Sequence, residues 1–171
     1  MVWTVLKPML PVVRAWMDQT LATHLANAQR LDEFKFSRLP QYFSRELYSS
    51  VKVVIADPLP MPPFSSMALA VFRQTSNFGG ITYKDVYFLK PAQSDNEAIH
   101  FHEMIHVIQW RHLGVDEFLL AYAMGLLSHG YWNHPFEVMA RAHENRFVTE
   151  PNAYETEMVV ASEMRLLATL V

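Results

Sequence analysis

The run His102-Glu103-Met104-Ile105-His106 has the spacing a helix needs to offer two imidazoles and a carboxylate to one metal ion. Residues four apart lie one turn apart on one helical face, so His102 and His106 can bind a single ion together. Glu103 leans toward the same side. A zinc-bound water between the histidines and that carboxylate would be a nucleophile with its own general base. The chemistry this points to is metal-dependent hydrolysis, of peptide bonds first.

Two imidazoles are not enough, because a catalytic zinc usually takes three protein ligands and keeps one position open. His112 follows His106 by six residues and is rotated well off the ligand face. Glu137 is the better third ligand: Pro135 can open a helix, and a carboxylate in its first turn can reach over rigidly from a helix packed beside the first. Glu137 can also be read as a cap of its own helix, with His134 at the cap position, or as an ion-pair partner of Arg141. In those cases His134 or Glu144 would be the ligand. For stabilising an oxyanion Tyr131 is the first choice and His134 the next, ahead of Tyr122 and Arg141, with Tyr83 and Tyr87 weaker. Asn133, Glu144 and Asp85 are candidates to hold the outer nitrogens of metal-bound histidines, and Gln109 is placed to order a water.

These residues need elements to position them. Ser94 followed by Glu97 is a capping-box pattern that predicts a helix start just before the metal motif. Phe101, Met104, Ile105 and Ile108 then form a core-facing stripe, with His102, His106 and Gln109 beside it, and Gly114 a plausible stop. Residues 116–127 read as a second helix. Pro135 opens a third to about residue 147, and Pro151 a fourth to about residue 170. Upstream, Val13, Met17, Leu21, Ala28 and Leu31 mark one side of an N-terminal helix that ends before Asp32. Residues 51–55, 67–72 and 81–89 are strand candidates, with a turn at Asn77-Phe78-Gly79-Gly80. Alternation along 81–89 puts Tyr83, Asp85, Tyr87 and Leu89 on one face and Thr82, Lys84, Val86 and Phe88 on the other, as a partly exposed edge strand to which an extended peptide could add.

Composition bounds the remaining classes. A chain of 171 residues suits one domain that buries roughly 70% of its extended surface. A hydrophobic fraction of 51% with only 18% charged residues leaves apolar surface for a homodimer or protein partner. Fourteen basic against seventeen acidic residues, unclustered, argue against nucleic acid. The absence of cysteine excludes thiolate ligands and disulfides and suits a reducing cytoplasmic setting. No apolar run reaches 18 residues and no secretory signal is expected, so the sequence predicts a soluble protein.

The segments His102-Glu103-Met104-Ile105-His106-Val107-Ile108-Gln109 and Asn133-His134-Pro135-Phe136-Glu137-Val138-Met139-Ala140-Arg141 resemble the zincin-type metallopeptidases. The likeness is greatest to a bacterial zincin-like family with a HExxHVxQ helix and a later Asn-Pro-Phe-Glu-x-x-Ala helix. That resemblance covers about half the chain, including the glycine turn and strand before the metal helix. It implies zinc held by His102, His106 and Glu137, with Glu103 as catalytic base and a peptide or protein as substrate. The chain departs from the pattern in three ways: His134 is inserted before Pro135, Met139 stands at an often acidic position, and His106 and Glu137 are 31 residues apart, a span lengthened by the 116–127 helix. The expected architecture is α+β: an N-terminal helical region over 1–49, a three- or four-stranded sheet over 50–90 packed on the metal helix, and a helical metal-binding part over 94–171.

Overall fold

Val53 and Val54 on one strand, and Tyr87 and Phe88 on another, are all buried, so the sheet they share is covered on both faces. The computed structural model describes residues 7–62 and 79–168. Among these, helices and strands follow in the order α1 (Leu10–His24), β1 (Gln29–Arg30), α2 (Arg45–Ser50), β2 (Lys52–Ile55), β3 (Gly80–Tyr83), β4 (Val86–Leu89), α3 (Glu97–Leu113), α4 (Val115–His129), α5 (Pro135–Thr149) and α6 (Thr156–Ala168). The architecture is α+β, with a mixed four-stranded sheet in the order β1-β2-β4-β3. β2 and β4 are parallel, and the outer pairs are antiparallel. The strand expected over 67–72 and the Asn77-Phe78 half of the turn lie outside the described residues.

The expected single strand over 81–89 is instead a tight hairpin. Lys84 takes φ 58° at the bend, and Tyr83 pairs directly with Val86. A two-residue turn reflects side-chain parity, so Thr82 faces the same side as its partner Tyr87 rather than the opposite one. β4 is thereby an inner strand, and β3, like β1, is an edge strand among the described residues. The two faces have different covers. Tyr83 and Phe88 meet Trp16 and His24 of α1 edge-on, while Tyr87 and Thr82 meet α3.

Other differences from the sequence expectation have local causes. The N-terminal helix stops at His24, and β1 pairs with β2 inside the region expected to be helical. Ser44 caps α2 by accepting from the Leu47 amide at 3.2 Å, a short helix not anticipated. Pro151 does not open the last helix, which starts at Thr156. No helix among the described residues is long and apolar enough to cross a membrane.

α3 is the centre of the molecule: β3, α4, α5 and α6 all pack on it. Every residue from His100 to Trp110 is buried. One polar pair fastens it to the sheet, for Tyr87 Oη donates to His100 Nδ1 at 2.6 Å, and His100 Nε2 donates to the Ser94 carbonyl at 2.9 Å. Both side chains are fully enclosed. Tyr87→Phe is expected to leave His100 Nδ1 without its donor and to cost about 1–3 kcal/mol, read as a lowered urea midpoint. An unchanged midpoint would show that the bond contributes nothing.

Candidate metal centre

The metal motif is carried on α3 by a start different from the one its sequence suggests. Asn96, not Ser94, is the cap, accepting from the Ala98 amide at 3.2 Å. Glu97 does not reach back to complete a capping box; its Oε1 accepts from the amides of Arg38 and Leu39 at 2.8 and 2.6 Å, tying the segment before α2 to the helix. Gly114, at φ 77°, ends it as expected.

α5 begins at Pro135, and His134 is its N-cap: Nδ1 accepts from the Phe136 amide at 3.0 Å, and Nε2 donates to the Tyr122 carbonyl at 3.0 Å. Gly125 makes this possible, since a Cβ there would collide with the His134 ring. Both ring nitrogens of His134, expected as a donor to the reaction, are thus engaged in bonds within the fold. Glu137, in the first turn, is 3% exposed and does not cap. Its carboxylate is aimed at α3 instead.

Three side chains converge there. His102 Nε2 and His106 Nε2 are 3.2 Å apart, Glu137 Oε2 is 3.6 Å from the first, and Glu137 Oε1 is 3.4 Å from the second. They form the one His/Glu group suited to a metal ion among the described residues. Bonds of about 2.0–2.1 Å to a tetrahedral zinc set ligand atoms about 3.3–3.4 Å apart, so the spacing fits the ion. Glu137 Oε2 is also buried with no hydrogen-bond partner among the described residues. A cation would satisfy it.

Partners on the far side of each ring fix its tautomer. His102 Nδ1 meets Glu144 Oε2 at 2.9 Å, and His106 Nδ1 meets Gln109 Oε1 at 2.8 Å. The Gln109 amide is oriented by donating to the Phe136 carbonyl at 3.1 Å and to Met139 Sδ. Both Nδ1 atoms therefore carry hydrogen, and both Nε2 lone pairs point inward. Burial works against a charged His102, but the neighbouring Glu137 and Glu144 carboxylates overcome it and hold its pKa up at about 10. His106 is also raised, against burial, by the Glu137 charge. Burial would raise Glu137, yet His106 and His102 keep its pKa well below the usual carboxylate range.

Glu103 lies on the sheet side of the same turn. Thr82 Oγ1 donates to Glu103 Oε2 at 2.6 Å, and the Thr82 carbonyl accepts from Trp110 Nε1 at 3.2 Å. Gly80 lies over the other oxygen: a Cβ there would be 2.5 Å from Glu103 Oε1. Burial raises the Glu103 pKa, and the charges of His106 and His102 and the Thr82 bond restrain the rise.

Of the residues singled out by sequence, His102, Glu103, His106 and Glu137 are brought together, with Glu144 and Gln109 as orienting partners. Gln109 holds an imidazole instead of a water. Tyr131 is half-buried beside the site; burial first, then the Glu137 charge and hydrogen bond, push its hydroxyl pKa up. Tyr122 donates to Glu137 Oε1 at 2.8 Å. Asp85 is drawn away to Arg111 at 2.7 Å, and Tyr83 donates to the Pro60 carbonyl. Sequence reasoning missed Gly80, Thr82 and Gly125. The Tyr83-Lys84-Asp85-Val86 turn was the signal for the first two, because it sets which strand residues face α3. Comparisons with protein-family models, curated proteins and solved structures find no match for this chain.

His102 carries a proton at neutral pH when no metal is bound, since its pKa stands at about 10, and an incoming ion must displace it. Zinc affinity is therefore expected to rise with pH and flatten above about 10, with proton release at neutral pH seen as a buffer-dependent binding enthalpy. A pH-independent affinity would contradict this. Glu144→Ala removes the His102 partner and is expected to weaken zinc binding by about 10–100-fold in chelator competition, while leaving one site per chain.

Proposed function

We propose that this chain is a zinc-dependent hydrolase of peptide bonds, built in the manner of the glutamate-ligated zincins its sequence resembles. The observation that carries the proposal is the pairing of the buried His102-His106-Glu137 cluster with a separately held carboxylate, Glu103, on the same helical turn. A structural metal site needs ligands only. It does not need a second carboxylate held beside the cluster by a threonine and a glycine.

Two imidazoles and one carboxylate are a donor set suited to zinc, though manganese, cobalt and iron accept the same atoms. When bound, the ion would supply a Lewis acid beside the ligands. Glu103 does the proton work. With Oε2 engaged by Thr82, Oε1 is the oxygen left to take a proton from the attacking water and return it to the leaving amine nitrogen. Burial raises its pKa, which makes Oε1 a stronger base toward the proton of the water. Tyr122 holds the orientation of Glu137 by donating to its Oε1. An extended peptide could add to β3, an edge strand among the described residues, whose Gly80 and Thr82 flank Glu103.

Glu103→Gln is expected to retain one zinc per chain and to lower cleavage of a broad peptide library by about 10²–10⁴-fold. Equal cleavage by the variant would remove Glu103 from the mechanism. A wild type that holds zinc tightly yet cleaves no library member favours the alternative, a silent zinc module in which the ion ties α3 to α5.

A further inference from the structure

The geometry points to Arg141 as the residue that stabilises the oxyanion, an inference that rests on the hydrolase reading above. Hydrolysis at a carbonyl needs a donor aimed at the oxygen that gains charge, and the polar groups around the ligands can be tested in turn. His134 has both ring nitrogens in bonds to Phe136 and Tyr122. The Tyr122 hydroxyl is given to Glu137 Oε1 at 2.8 Å, and Tyr131 hydrogen-bonds the same carboxylate. Tyr83 and Tyr87 are bonded to Pro60 and His100, and the Gln109 amide to Phe136.

Arg141 differs from all of these. It follows Glu137 by one turn of α5, and its Nη1 stands 3.9 Å from Glu137 Oε2. That is beyond hydrogen-bond range, and Nη1 is buried with no hydrogen-bond partner among the described residues. The guanidinium is nevertheless held in place. Nη2 donates to the Trp132 carbonyl, and the Trp132 ring lies 5.6 Å from Cζ. One face of a fixed cation is thus aimed beside a metal-ligand oxygen, and a buried charged donor left without an acceptor is costly.

An oxygen accepting from Nη1 would lie near Glu137 Oε2, and so beside the ligand cluster that a scissile carbonyl has to approach. With Nη2 spent on Trp132, Nη1 offers a contact to a single oxygen and not the paired contact that recognises a carboxylate. The step balances without any change in Arg141. The water oxygen bonds to the carbonyl carbon, the water proton passes to Glu103, and the π pair moves onto the carbonyl oxygen facing Nη1. When the carbonyl re-forms, the C–N pair leaves with nitrogen, which takes the proton back from Glu103.

The test uses the zinc-loaded full chain and two probes, a phosphinic pseudopeptide that mimics the tetrahedral anion and acetohydroxamate, a planar metal chelator. Arg141→Met is expected to keep one zinc and its acetohydroxamate affinity, to lose about 10²-fold in phosphinic affinity, and to lower kcat for peptide cleavage by about 10²–10³-fold with little change in KM. Arg141→Lys keeps the charge without the fixed fork and should lose about tenfold in phosphinic affinity. Phosphinic affinity equal to wild type in Arg141→Met overturns the assignment and leaves the hydrolase reading standing. If Arg141→Met does not fold, Arg141→Lys decides: a tenfold loss supports the role and full affinity overturns it. A wild type that binds zinc but not the phosphinic probe brings down the hydrolase reading, and the role of Arg141 with it.

Discussion

Two imidazole nitrogens 3.2 Å apart, with both outer ring nitrogens held as donors, must share either a proton or a metal cation between them. Much of the helical half follows from that constraint. The outer nitrogens must be held by acceptors, which recruits Glu144 from α5 and Gln109 from α3 itself. A carboxylate must face the pair, so α5 has to start where Glu137 can reach. Gln109 is in turn anchored on Phe136 and Met139. The centre is therefore a joint between α3 and α5, and whatever cation occupies it also bears on the stability of their contact.

The sheet solves a different problem, keeping Glu103 near the ligands without letting it become one. Alternation brings Gly80 and Thr82 of β3 onto the face that meets α3, one on each side of the Glu103 carboxylate. Thr82 binds one oxygen, and the missing side chain of Gly80 leaves room for the other. A continuous strand through 81–89 would have turned the Thr82 face away from Tyr87. The tight hairpin is what puts a hydroxyl where the carboxylate needs one.

How much of this was legible in the sequence varied with the range of the interaction that decides each feature. Local signals were read well. Four-residue spacing identified the two histidines, Pro135 located the start of α5, and Gly114 the end of α3. Signals that admit more than one partner were not. Ser94 and Glu97 have the types of a capping box, but Asn96 is nearer the first turn and Glu97 is claimed by amides far away in sequence. The cap position of His134 was legible from Pro135, but the bond of its other ring nitrogen to Tyr122 and the space that Gly125 leaves for the ring depend on tertiary neighbours. Thr82 was invisible because its role depends on the hairpin register, which a one-residue shift would invert.

α5 shows why a site of this kind carries a cost in stability. Phe136, Met139, Ala140, His143 and Phe147 form its buried stripe, at the spacing of an ordinary amphipathic helix. Glu137, Arg141 and Glu144 form a second stripe at the same spacing, on which Glu137 and Glu144 meet the histidines and Arg141 stands beside Glu137. Packing alone would favour apolar residues at the innermost of these positions. Glu137 Oε2 and Arg141 Nη1 are both buried without hydrogen-bond partners among the described residues, and they lie 3.9 Å apart on successive turns. Opposite charges left that far apart do not compensate each other's desolvation well, since a closer contact would. The arrangement is intelligible if each waits for a different partner, a cation for the carboxylate and an oxygen for the guanidinium. Local rules of burial are broken together at one place, and that place is where ligand-directed selection would have to act against stability.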